Sequence, residues 1–142
     1  MGSHNSSKDK GLQGNEQIEE AIAALQKQPT PEVLAHTLTV LRHRMKAAGE
    51  LILAVEPDLS KDQMAIQTVT TSDGMHWWIA FSGFEEQAKG ASGLQSTFMT
   101  KMDQLFQAAL EEEKIAGVII NPWNRTIQLD KQLLSIILGT QQ

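Results

Sequence analysis

His36, His43 and His76 are the histidines beyond the first dozen residues. They are the side chains best suited to bind a metal or move a proton near neutral pH. His36 and His43 stand seven apart, on roughly one face of a helix but two turns from each other. Zinc helices space their histidines more closely, as in H-E-x-x-H, and no carboxylate stands at a ligand position between these two. No metal site is expected. Serine nucleophiles are no better served. The chain has no G-x-S-x-G elbow, and Ser72, Ser82, Ser92 and Ser96 stand where turns and caps favour hydroxyls. "SGLQST", residues 92–97, lacks the Gly-Lys-Ser/Thr ending of a phosphate loop. Glu85-Glu86 and Glu111-Glu112-Glu113 are adjacent carboxylates on solvated turns. Nothing there separates two pKa values as an acid–base pair requires. No catalytic residue and no cofactor follow, and the chain is not expected to be an enzyme.

Side chains suited to recognition are easier to find. In "HWWIAF", residues 76–81, strand alternation turns Trp77, Ile79 and Phe81 to one side and Trp78 and Ala80 to the other. The apolar run of "GVIINPWN", residues 117–124, stops at Asn121-Pro122 and then offers Trp123 in a turn, where burial is least expected. With Arg125 it makes an aromatic-plus-cation pair of the kind enriched at interaction hot spots. Asn121, Pro122, Trp123, Arg125 and Trp78 are the candidate binding residues. The competing reading folds Trp123 back over a core edge and leaves Asn121 only to organise the turn.

Composition narrows the partners. The 142 residues suffice for one domain, and 41% apolar with 20% charged residues is ordinary for a globular protein. The net charge of −5 opposes general phosphate binding, so nucleic acid is not expected. The most basic run, "LRHRMK" at residues 41–46, reads as the wet side of a helix. No cysteine is present, which excludes disulfides and thiolate chemistry and fits a reducing, cytoplasmic setting. No apolar run approaches the roughly 18 residues of a membrane span. Residues 1–14 read as an expression-tag remnant ("MGSH") and disordered tail.

The elements follow from periodicity and punctuation. Asn15 is placed to cap a helix over residues 16–28, with Ile18, Ile22 and Leu25 inward and Pro29 ending it. Thr30 and Pro31 start a second helix striped by Leu34, Leu38, Leu41, Met45 and Ala48, which Gly49 closes. Glu50 to Val55 reads as a central strand buried on both faces and stopped by Pro57. A strand from Met64 to Val69 turns at Asp73-Gly74, a two-residue hairpin, into "HWWIAF". "SGFE" forms a capping box of Ser82 and Glu85, opening a short helix to Lys89 that Gly90 ends. A longer helix is expected over residues 93–114, with Phe98, Met102, Leu105, Phe106, Ala109 and Leu110 as its core stripe. Val118 to Ile120 form a buried strand. Pro122 pushes Asn121 toward an extended backbone, and the type I turn leads to a strand from Thr126 to Leu129. Asp130 caps a last helix, Leu129 and Leu134 staple it, and Gly139 ends it. The fold class is α+β: a mixed sheet of about five strands with helices packed on it, preceded by two N-terminal helices. Residues 15–49 read as a helical extension and residues 50–140 as the domain proper.

From Glu50 onward, "ELILAVEP", "TSDGMHWWIAFSGFEEQAKG" and "GVIINPWNRTIQLDKQLLSIIL" stand in the order and spacing of the SseB protein N-terminal domain family. The chain resembles that family over about two-thirds of its length, and the family's Asn-Pro falls on Asn121 and Pro122. The resemblance implies an α+β domain of a bacterial cytoplasmic protein from a family named for enhanced serine sensitivity. Larger members carry a second C-terminal domain, for which this chain has no room. The two leading helices have no place in the motifs matched. The expected function is a non-catalytic protein-interaction or regulatory domain, with a protein partner or self-association through the Asn121–Arg125 turn. The alternative is a sensor of amino acids or related metabolites, which requires a cleft lined by Trp78 and a polar turn.

Overall fold

The computed structural model describes residues 7–58, 63–89 and 96–139. Two helices open the fold, α1 (Glu16–Lys27) and α2 (Pro31–Lys46). Pro29 separates them as expected, and the Thr30 hydroxyl accepts the Val33 amide at 3.2 Å. The end of α2 differs from expectation. The Gly49 amide donates to Arg44 O and the Ala48 amide to Met45 O, the two bonds of a Schellman closure. The left-handed residue is therefore Ala48 (φ 64°). Gly49 is required for space, since a Cβ there would lie 2.6 Å from Arg44 O.

The described residues form a sheet of seven strands. These are β1 (Glu50–Asp58), β2 (Gln63–Ile66), β3 (Thr68–Thr70), β4 (His76–Phe81), β5 (Ser96–Lys101), β6 (Gly117–Ile120) and β7 (Ile127–Asp130). β1 pairs antiparallel with β5 along one side; on its other side Ile52 and Leu53 face β4, and Val55 to Asp58 face β2. β4 in turn pairs with β3 through His76 to Trp78, and with β1 beyond that. The single strand expected from Met64 to Val69 is thus two, wedged between β1 and β4. Gln67 marks the change of partner: its amide donates to Ala54 O and its carbonyl accepts the Ile79 amide. β6 lies parallel to β4, and β7 antiparallel to β6. Pro57 stands inside β1, opposite Met64, beyond Val55, the last residue whose pairing with β5 falls among the described residues.

The helix expected over residues 93–114 is replaced, in its described part, by β5 and the shorter α4 (Met102–Glu111). Phe98 and Met102 have helical spacing, but Thr97, Phe98 and Thr100 favour a pleated strand. All six residues of β5 pair with β1, whose buried main chain would otherwise lack partners. Phe98 is consequently exposed on the sheet rather than in a helical stripe. α3 (Phe84–Lys89) is as expected; Gly90, Ser92 and Gly93 lie outside the described residues.

One face of the sheet carries Leu51, Leu53, Ala80, Val118, Ile120, Ile127 and Leu129, packed against α1, α2, α4 and α5 (Lys131–Leu138). Ile18, Ile22, Leu41, Met102, Phe106, Leu134 and Ile137 fill that layer without exposure, each of the order of 1.5–3 kcal/mol of burial. Trp78 packs against this face, half-buried. The other face holds a smaller cluster of Ile52, Ala54, Trp77, Ile79, Phe81 and Ile119. The alternation read from "HWWIAF" therefore holds. A 3-10 helix (Ser7–Leu12) precedes α1 and packs Leu12 against that smaller cluster. Asp130 caps α5 by accepting the Leu133 amide at 2.9 Å, and Gly139 ends it at φ 77°, both as read from the sequence.

Candidate functional site

β4 and β6 run parallel, and each ends in a polar residue directly after its apolar run, Ser82 and Asn121. These two meet. The Ser82 amide donates to Asn121 Oδ1 at 2.9 Å, and Asn121 Nδ2 donates to the Ser82 hydroxyl at 3.0 Å. The Asn121 amide continues the ladder to Ala80 O. Its carbonyl accepts the Asn124 amide at 3.2 Å and the Thr126 hydroxyl. Every polar group of this fully buried residue is engaged. Asn121 adopts φ 57° rather than the extended backbone expected before proline. Asparagine tolerates the left-handed region, and these bonds hold it there. The 121–124 turn is where the sequence placed it.

α1 locks onto the same junction. Asn15, expected to cap α1, makes no side-chain cap bond. Its Nδ2 reaches Glu50 O at 2.8 Å and Ser82 O at 3.0 Å, while Oδ1 accepts from Arg44 Nε at 2.9 Å. Arg44 also donates to Gly11 O. Ser82, expected to cap α3, instead donates its hydroxyl to Glu19. Glu19 lies 3.6 Å from the Arg125 guanidinium, and Asn124 Nδ2 meets Glu86 Oε2 at 3.4 Å. Long-range hydrogen bonds thus tie α1, α2, α3 and the two strand ends together.

What the turn presents outward is different in kind. Trp123 is 44% exposed and sets its ring 6.5 Å from that of Phe81, tilted by 35°. The Arg125 side chain is 42% exposed and its backbone is left-handed at φ 47°. Pro122 is half-buried between them and Asn121. Phe84, two residues past Ser82 as Trp123 is two past Asn121, is 48% exposed.

The structure brings Asn121, Pro122, Trp123 and Arg125 together and leaves Trp78 apart. Trp78 points to the helix-covered face, whereas Trp123 contacts Phe81 of the opposite cluster. Asn15, Glu19, Ser82, Glu86, Asn124 and Phe84 were not foreseen as part of the site. The one local signal for Ser82 and Asn121 was their position, a polar residue closing each of two apolar strands.

A hydroxyl on a carboxylate is also the pairing that activates a serine nucleophile. Ser82, however, is 1% exposed, and its oxygen already accepts from Asn121 Nδ2. Among the described residues no three of His, Cys, Asp and Glu gather to hold a metal ion. His36 and His43 are exposed on α2, and His76 Nδ1 shares a 2.8 Å hydrogen bond with the Thr70 hydroxyl. No helix among the described residues is long and apolar enough to cross a membrane.

The family model of the SseB protein N-terminal domain matches residues 18–135. The chain belongs to the SseB N-terminal domain family. The match begins inside α1 and so takes in both leading helices, which the sequence motifs alone had left outside the family pattern. It also covers the Ser82–Asn121 junction and the exposed turn. No curated protein and no solved structure matched the chain.

Proposed function

We propose that this SseB-type domain is a non-catalytic protein-interaction or regulatory domain whose contact surface is the Asn121–Arg125 turn. The observation that carries the reading is the exposure of Trp123 on a turn fixed by buried hydrogen bonds. An aromatic ring presented from a rigid support loses little entropy on binding, and tryptophan and arginine dominate interaction hot spots. Arg125 adds to this. A left-handed backbone at a non-glycine residue costs roughly 1–2 kcal/mol, and such strain concentrates at functional positions.

The test is affinity capture from the native host with the wild-type chain and with Trp123→Ala as parallel baits. A protein retained by the first and lost by the second, with both baits folded, supports the reading; partners held equally by both contradict it. The metabolite-sensing alternative is checked by thermal shift with amino acids. A ligand at a hundred times its Kd should add about 2.7 kcal/mol of stability. Trp78 packs on the helix-covered face whereas Trp123 lies against Phe81 of the opposite cluster, which supports the protein-partner reading over a cleft shared by these two tryptophans.

A further inference from the structure

Three charged side chains border the Asn121–Arg125 turn, and they differ in access: Glu86 is buried, Glu19 is 20% exposed and Arg125 is 42% exposed. Arg125 is therefore the charge that a partner reaches. Among the described residues its guanidinium faces one acid. Nη1 stands 3.6 Å from Glu19 Oε1, close enough for an ion pair but too long for a hydrogen bond. Glu19 Oε2 is taken by the Ser82 hydroxyl. The planar fork of N–H donors is thus held by charge alone, and none of its donors is spent on a described residue. We infer that Arg125 takes one carboxylate of a partner protein, the side chain of an Asp or Glu whose large apolar neighbour lies on Trp123. This rests on the reading of the turn as a contact surface and names what that surface contacts.

Each half of the ligand follows from an observation. Trp123 is 44% exposed and backed by the Phe81 ring at 6.5 Å, so it offers an apolar plate. Asn124, between Trp123 and Arg125, donates to Glu86, which leaves its two neighbours as the recognition groups. An arginine fork fits the paired oxygens of a carboxylate or a phosphate. Charge selects the first. Glu19 stays beside the guanidinium and the chain carries −5 in all, so a second negative charge on the ligand adds repulsion. A nucleic-acid backbone is disfavoured on the same ground. Glu19 also accounts for the free form. Its charge holds the guanidinium until a ligand offers the shorter, two-point hydrogen bonds that Glu19, engaged with Ser82, does not make.

The probe is a displayed library of random heptapeptides, selected on the immobilised full chain with Trp123→Ala as counter-bait. The best binder is synthesised with both ends capped and titrated by calorimetry against variants whose circular dichroism matches the wild type. The expected peptides carry Asp or Glu within two residues of a large apolar side chain. Arg125→Gln should weaken the best of them about tenfold or more, and selection on Arg125→Glu should exchange the acid for Lys or Arg. Glu19→Gln keeps an oxygen for the Ser82 hydroxyl while removing the competing charge. It should tighten the peptide about two- to fivefold, which a merely structural Glu19 would not do. Peptides that Trp123→Ala loses but that carry no acid, or that Arg125→Gln binds equally, overturn this inference and leave the turn standing as a contact surface. Tighter binding when the acid is replaced by phosphoserine overturns it too, as does wild-type dimerisation that Arg125→Glu abolishes, since the acid would then be a second copy's. If no peptide distinguishes the wild type from Trp123→Ala, the reading of the turn itself fails, and this inference with it.

Discussion

The turn from Thr71 to Met75 and the turn from Asn121 to Thr126 both connect paired strands, and they are held by opposite means. The first is self-contained. The Thr71 amide donates to Met75 O, so the loop has three residues, Ser72, Asp73 and Gly74, rather than the expected two. Gly74 takes the left-handed position at φ 86°, as a type I turn with a bulge requires. The Asp73 carboxylate accepts from the Thr71 hydroxyl and the Met75 amide, and the loop is exposed. The second turn is held from 39 residues away by Ser82, with Asn121 fully buried. Local chemistry makes a turn that could move to another protein unchanged. Long-range polar bonds make a turn that exists only in this fold and can present side chains with its backbone fixed.

The largest expected effect is at Asn121. Asn121→Ala leaves the buried Ser82 amide without its acceptor and puts an alanine in the left-handed region. About 3 kcal/mol should be lost, measured by urea unfolding; a loss below about 1 kcal/mol would show that the junction does not hold the turn. Gly74→Ala comes next. A Cβ there meets nothing within 4 Å, so the cost is conformational alone, about 1–2 kcal/mol. A larger loss would mean the first turn is not self-contained. Arg125→Gly relieves the left-handed strain while removing an exposed ion pair of little worth. It should stabilise the chain by about 1 kcal/mol and weaken partner binding. A loss of stability would instead make Arg125 structural.

Trp123→Ala removes a half-exposed ring and should cost about 1 kcal/mol or less, with the circular dichroism spectrum unchanged. If the domain unfolds, Trp123 is core and the turn is not a contact surface. The smallest effect belongs to Asp73. The hydrogen bond from Thr71, then that from Met75, holds its carboxyl below the ordinary value of 3.8. The folded state therefore releases this proton more readily than the unfolded one. The slight stability so gained is present above the ordinary carboxylate range and is lost as pH falls through the lowered pKa. Asp73→Asn should flatten that part of the pH–stability curve, and an unchanged curve would sever the link to Asp73.

The contrast between the turns also explains what the sequence could disclose. Gly74, Thr30, Asp130 and Gly139 act on neighbours within a few residues, so their roles were legible wherever the chain folded. Asn15 and Ser82 have the same local preferences as a helix cap, yet the side chain of Asn15 is used on Glu50 and Ser82, 35 and 67 residues distant, and that of Ser82 on Asn121 and Glu19, 39 and 63 residues distant. No periodicity encodes that choice. β5 was misread for a related reason. The spacing of Phe98, Met102 and Leu105 suits a helix, and only the open side of β1 makes residues 96–101 a strand. The sequence left open whether Trp123 is exposed or folds back over a core edge; it is 44% exposed with its ring beside that of Phe81, so it shares in both. That Trp78 lies on the other face from it followed from the sheet, not from either residue.

Native-state hydrogen exchange compares the two turns in one experiment, because a side chain of each accepts a main-chain amide: Asn121 from Ser82, and Asp73 from Met75. The Ser82 amide should exchange only through near-global unfolding, with a free energy close to that from urea denaturation, while Met75 exchanges by local opening at far lower cost. Similar protection at the two amides, or faster exchange at Ser82, would contradict the view that the Asn121–Arg125 turn is a fixed support for the side chains it displays.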